Sequence, residues 1–153
     1  MANFICGDVV AVPGSAVLWR AEKVADNHIW WSDELGRWVP RLPHAMVFNK
    51  ELSTFWSQHV EDVHRGGPRD VTIVRQGRAV VFASSARQLR ELLLTVVHEP
   101  ADEIPTPPAC AHVVASYPEG STKPEKNRIR AEIVRIMIHD PASGEIDLTR
   151  PPS

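Results

Sequence analysis

Thirteen prolines punctuate the 153-residue chain, and each one limits what its neighbourhood can become. Proline has no backbone N–H and biases the preceding residue away from helix, so it is kept out of central strands and helix interiors. Pro13 with Gly14 marks a turn, and Pro40 and Pro43 forbid a regular central strand between them. Pro68 seals the Gly66-Gly67 break, and Pro141 ends the last periodic segment. Pro100, Pro105, Pro107 and Pro108 impose a stiff, extended loop over 99–110 that contains no glycine to act as a hinge. Regular elements are therefore short and lie between these stops.

Between the prolines the patterns alternate in kind. Val9–Val12 and Val17–Arg20 are β-prone runs on either side of Pro13-Gly14 and predict a hairpin. Ile29-Trp30-Trp31 predicts a strand, with turn chemistry over Ser32 to Gly36 before Trp38-Val39, and Ala45–Phe48 reads as a further extended run. Leu52, Phe55, Trp56, His59, Val60 and Val63 follow the 3.6-residue period and predict one helix from a cap at Asn49 to the Gly66-Gly67 stop. Val71–Val74 and Ala79–Phe82 flank Gln76-Gly77 as a second hairpin, after which Ser84 and Ser85 can cap a helix through Leu89, Leu92 and Leu93. Thr95–His98 favours strand, Ala111–Ala115 is a strand, and a helix over about Pro124 to His139 buries Ile129, Ile133, Ile136 and Met137 behind an N-cap at Thr122.

Strand groups that alternate irregularly with helices define an α+β class: a single compact domain with a mixed or mainly antiparallel sheet and two or three packed helices. At 43% hydrophobic and 24% charged, the chain has the composition of one globular domain, here residues 1–149, with 150–153 as a loose tail. No apolar run approaches the roughly 18 residues of a membrane helix, and the opening Met1-Ala2-Asn3-Phe4 lacks a basic leader, so a cytoplasmic protein that does not engage membranes is expected.

A net charge of −2 excludes the strong positive field of a dedicated nucleic-acid binder. Arg65, Arg69, Arg75, Arg78, Arg87 and Arg90 nevertheless cluster with Asp70 as the one acid among them, a set suited to phosphate or nucleic-acid contact or to ordinary solvated faces. Cys6 and Cys110 have no metal or redox spacing and read as reduced, structural thiols. Seven histidines raise a metal reading that their spacing does not sustain. His59 and His64 fall about 140° apart on a helix. Cys110 and His112 share a strand face and would need a third ligand from elsewhere, His98 or His44, so neither metal nor cofactor is expected. Ser57, His59 and Asp62 have the residue types of a hydrolase triad, but on one helix Ser57 and His59 point about 200° apart.

Aromatic residues carry more information. Trp19, Trp30, Trp31 and Trp38 fall within twenty residues, and adjacent Trp30 and Trp31 face opposite sides of a strand. Trp30, Trp31 and Trp38, with Asp102 and Glu103 on the rim of the proline loop, are the candidate binding residues for a protein partner. Leu18-Trp19-Arg20, followed by Gly36-Arg37-Trp38, resembles the aromatic-Arg strand end and Gly-Arg-Trp segment of the RES-type NAD-consuming toxins, relatives of ADP-ribosyltransferases. The resemblance covers about thirty residues and implies that Arg20 and Arg37 grip the phosphates of NAD. The family's later catalytic Glu and Ser have no matching motif here, and Glu51 or Ser53 would serve by residue type alone.

With no catalytic constellation in the residues, the expected role is a non-catalytic interaction or accessory module of a cytoplasmic bacterial multi-protein system. Self-association is also expected, the arginine-rich hairpin of a second copy meeting the acidic rim. The alternatives are a small NAD-processing or ADP-ribosyltransferase-like enzyme and an arginine-mediated phosphate or nucleic-acid contact.

Overall fold

The computed structural model describes residues 8–23, 29–41, 51–68, 71, 79–100 and 110–140. Among the described residues eight strands and three helices follow in the order β1 (Val17–Lys23), β2 (Ile29–Ser32), β3 (Arg37–Pro40), β4 (Glu51–Trp56), α1 (Ser57–His64), β5 (Ala79–Ser85), α2 (Ala86–Glu91), β6 (Thr95–His98), β7 (His112–Ser116), α3 (Lys123–Ile136) and β8 (Ile138–His139). Six strands form one sheet in the order β6-β7-β4-β1-β5-β8, and β2 and β3 form a separate hairpin. All the strand pairs described are antiparallel. This is the α+β domain that the alternating patterns indicate, with three helices accompanying an antiparallel sheet.

The sheet is built from alternation. In β4, Leu52, Thr54 and Trp56 are buried while Glu51 is exposed. In β6, Val96 and His98 are buried while Thr95 and Val97 are exposed. Leu18, Leu52, Trp56, Val80, Phe82, Leu89, Val113 and Ala115 join α3 residues Ile129, Ile133 and the following Met137 in a continuous core. The single helix expected over the Leu52–Val63 stripe is corrected: its first half is β4 and only 57–64 is helical. Leu52 and Trp56 are four apart, a spacing that meets both the strand period of two and the helix period of 3.6, and pairing with β1 and β7 selects the strand. Arg65, in the left-handed region at φ 52°, then ends α1.

The hairpin expected from Val9–Val12 is also corrected, because 8–13 forms no ladder. Side chains take the place of the ladder: Val10 N–H donates to His98 Nδ1 at 3.1 Å, and Arg90 Nη2 donates to the Val12 carbonyl at 2.7 Å. Arg90 also reaches the Val96 carbonyl at 3.4 Å, so these bonds tie the 8–13 segment to edge strand β6. Val71, the described residue of the expected Val71–Val74 strand arm, is helical, and the rest of that arm lies outside the described residues, as do Ala45–Phe48 and the 150–153 tail. Cys110 is buried and disulfide-bonded, which overturns the reduced thiol expected there; Cys6 lies outside the described residues.

Both longer caps match their sequence signatures. Ser85 and Gln88 form a reciprocal capping box on α2, with Gln88 N–H to Ser85 Oγ at 3.1 Å and Ser85 N–H to Gln88 Oε1 at 2.9 Å. Thr122 caps α3 through the Glu125 N–H. The final helix stops at Ile136, earlier than expected, because Met137 is extended at ψ 126° and the chain turns into β8 along β5. There His139 packs edge-on to Phe82 with ring centroids 5.8 Å apart.

Burial holds the His139 imidazole below its ordinary value of 6.5, with Asp140 opposing the shift. The folded chain therefore keeps this ring neutral at a pH where the unfolded chain protonates it. Its contribution is fully present above the unfolded value and is lost as pH falls through the folded value. Thermal melts between about pH 7 and about pH 5 should show a larger drop in Tm for the wild type than for His139→Gln. Equal drops would remove His139 from the acid response.

Candidate functional site

The β2–β3 hairpin and α3 enclose a cleft of about 500 Å³, within the range of small-ligand and peptide-anchor sites. Its construction follows from the hairpin register. Trp30 pairs with Val39 and Ser32 with Arg37, so these four share one face, while Trp31 pairs with Trp38 on the other. Val39 is fully buried, whereas Trp30 is 50% exposed at the cleft. Gly36, at φ 63°, supplies the left-handed turn that closes the hairpin, with its N–H bonded to the Ser32 carbonyl at 2.8 Å. On α3, Asn127, Arg130, Ala131 and Val134 recur at three- and four-residue steps and form the opposite wall.

Charge in the cleft is uneven. Arg135 is committed: it meets Glu34 at 2.5 Å and Glu132 at 3.7 Å, and its carbonyl accepts from the Arg37 guanidinium. Among the described residues Arg41 and Arg130 make no ion pair, so two arginines line the same cleft as Trp30 while its Glu34 carboxylate is taken by Arg135. Arg130 also acts on the buried Tyr117, opposing the upward push that burial gives its phenol. Planar cations and an exposed indole lining one cleft suit acidic groups attached to a flat or apolar body.

The sequence candidates are distributed as follows. Trp30 is in the cleft. Trp31 and Trp38 lie behind it in an edge-to-face pair at 6.0 Å, and the Trp31 Nε1–H donates to Asp33 at 3.1 Å. Asp102 and Glu103 lie outside the described residues, as do Arg69, Arg75 and Arg78. Arg65 caps α1 and Arg90 holds the 8–13 segment, while Arg87 is exposed beside Gly14.

Arg20 and Arg37 occupy different elements with different bonds. Arg37 braces the end of α3. Arg20 lies within the main sheet, with Nε on Glu22 Oε1 at 2.7 Å and Nη1 on the Ser53 carbonyl at 3.0 Å. The β1–β4 register pairs Leu18 with Trp56 and Trp19 with Phe55, so the alternation places the Arg20 side chain on one face and those of Glu51 and Ser53 on the other.

Cys110 is held in its disulfide, and both ring nitrogens of His112 are engaged, Nε2 by Ser53 and Nδ1 by the Glu99 carbonyl. His59 is fully buried against His98, ring centroids 5.2 Å apart. Among the described residues no group of three His, Cys, Asp or Glu side chains is placed to hold a metal ion, and no helix is long and apolar enough to cross a membrane. No protein-family model matches the chain, and no curated protein or solved structure matches it significantly.

Arg41 and Arg130 are the site residues that sequence reasoning missed. They lie far apart in the chain and each reads alone as an ordinary surface cation. The available signal was the polar-small spacing of Asn127, Arg130, Ala131 and Val134, an α3 face distinct from the buried isoleucine stripe.

Proposed function

We propose that the chain is an interaction or accessory module of a bacterial multi-protein system that grips an acidic segment of a protein partner between the β2–β3 hairpin and α3. The observation that carries this reading is that the half-exposed Trp30 lines one cleft with Arg41 and Arg130, two cations without a carboxylate partner among the described residues. Tryptophan and arginine are the residues that most often dominate binding energy at protein interfaces. The unpaired cations add steering and salt dependence.

Titration calorimetry with short peptides that place Asp and Glu around an apolar residue tests the proposal. Trp30→Ala and the double variant Arg41→Ala/Arg130→Ala should each weaken binding by about tenfold or more, and affinity should fall as salt rises. Binding that is insensitive to all three residues would remove the cleft from this role. Uptake of NAD in place of the peptides, with loss on Arg20→Ala of unchanged circular dichroism, would favour the NAD-processing alternative. A cytoplasmic setting suits such a module, but the Cys110 disulfide weighs toward an oxidising compartment. The role of the cleft is the same in either.

A further inference from the structure

Away from the cleft, β4 and β7 bring a serine and a histidine together. The register pairs Phe55 with His112 and Ser53 with Val114, so Ser53 and His112 are diagonal neighbours on one sheet face. Ser53 Oγ lies 2.6 Å from His112 Nε2, and His112 Nδ1 lies 2.9 Å from the Glu99 carbonyl oxygen. A carbonyl only accepts, so Nδ1 carries the proton; in the neutral ring Nε2 then holds a lone pair and accepts from the serine hydroxyl. Glu99 N–H donates back to the His112 carbonyl at 2.8 Å, which fixes the backbone of the residue that orients the ring. Both side chains are half-buried and reachable from solvent, and Phe55 lies against the imidazole with centroids 5.9 Å apart.

We propose that Ser53 is a nucleophile with His112 as its general base, and that the pair accepts acyl or phosphonyl groups from activated esters with an apolar body. This is the nucleophile, base and orienting-group order of covalent catalysis, with a main-chain carbonyl in the third place. In the acyl-transfer step a bond forms between Ser53 Oγ and the ester carbonyl carbon as the hydroxyl proton passes to Nε2. The bond from that carbon to the leaving oxygen then breaks, and the leaving alcohol takes the proton from the imidazolium. A water activated by the same nitrogen releases the carboxylic acid and restores the serine.

The interior of a strand offers few free N–H groups to an oxyanion. The expected behaviour is therefore a long-lived covalent serine, and turnover is slow.

The pair shares no residue with the cleft, so the two proposals stand or fall separately. The test is to treat the full chain with a fluorophosphonate probe and map the adduct by mass spectrometry. The Oγ–P bond forms, fluoride leaves and the hydroxyl proton passes through His112 to solvent. One adduct per chain on Ser53 is expected, lost in Ser53→Ala and formed about a hundredfold more slowly in His112→Gln of unchanged circular dichroism. If His112→Gln fails to fold, mapping of the wild type still decides. No adduct on wild-type Ser53, labelling spread over other hydroxyls, or a rate indifferent to a folded His112→Gln would overturn the assignment.

Discussion

Replacing Trp56 with alanine is expected to cost about 3–5 kcal/mol of folding stability, the range for removing a large aromatic ring from a close-packed core. Trp56 is only 2% exposed and stands where β4 becomes α1, so its ring is held by both elements. It pairs with Leu18 across β1, meets His98 edge-on at 5.7 Å and lies 6.2 Å from His59. Each of those neighbours belongs to a different element, which hinders local collapse into the space left behind. Urea denaturation followed by far-ultraviolet circular dichroism measures the loss as a lowered midpoint. An unchanged midpoint would place the ring outside the core. Phe55, the adjacent residue, is half-buried on the opposite face, so truncation there should cost clearly less.

Trp56 also shows how much of the fold was legible. Burial of Leu52, Trp56, His59 and Val60 was readable from the sequence, since each is apolar or aromatic at a position some regular element would cover. Their element was not, because a four-residue spacing satisfies both periods and the deciding partners, β1 and β7, are remote in sequence. Local chemistry was read more securely: Thr122 and Ser85 cap the helices they were expected to cap, since a cap depends on residues within one turn. Val9–Val12 misled for the opposite reason. Its β-prone residues pair with no strand, because Arg90 and His98 take their backbone groups.

The sites divide along the same line. That Trp30 and Trp31 face opposite ways was legible, because alternation alone forces the two apart, but not which of them lines the cleft. Arg41 and Arg130 were not, since nothing local distinguishes them from other exposed arginines. The serine–histidine contact was hidden further still. Ser57 and His59 drew attention by proximity in sequence, whereas Ser53 and His112 are 59 residues apart and meet only through the β4–β7 register.

Arg20 links these threads, and its replacement by alanine should be the other most damaging change. Its side chain is 11% exposed, and Glu22, its partner two residues along the same strand face, is 0% exposed. Alternation puts both on the side of Leu18, Trp56 and Phe82, so the carboxylate lies in the core. Removing the arginine takes a charged partner from that buried carboxylate and a donor from the Ser53 carbonyl, at an expected cost of about 3–5 kcal/mol. The pair itself is worth far less than that figure, because two charges were desolvated to form it. Arg20→Met combined with Glu22→Leu should therefore recover most of the loss. Denaturation midpoints for the two single variants and the double variant separate these contributions. Recovery in the double variant identifies Arg20 as a counter-charge of the buried Glu22. Full stability in Arg20→Ala would instead leave its guanidinium available to a ligand, and the NAD reading of that residue would regain its footing.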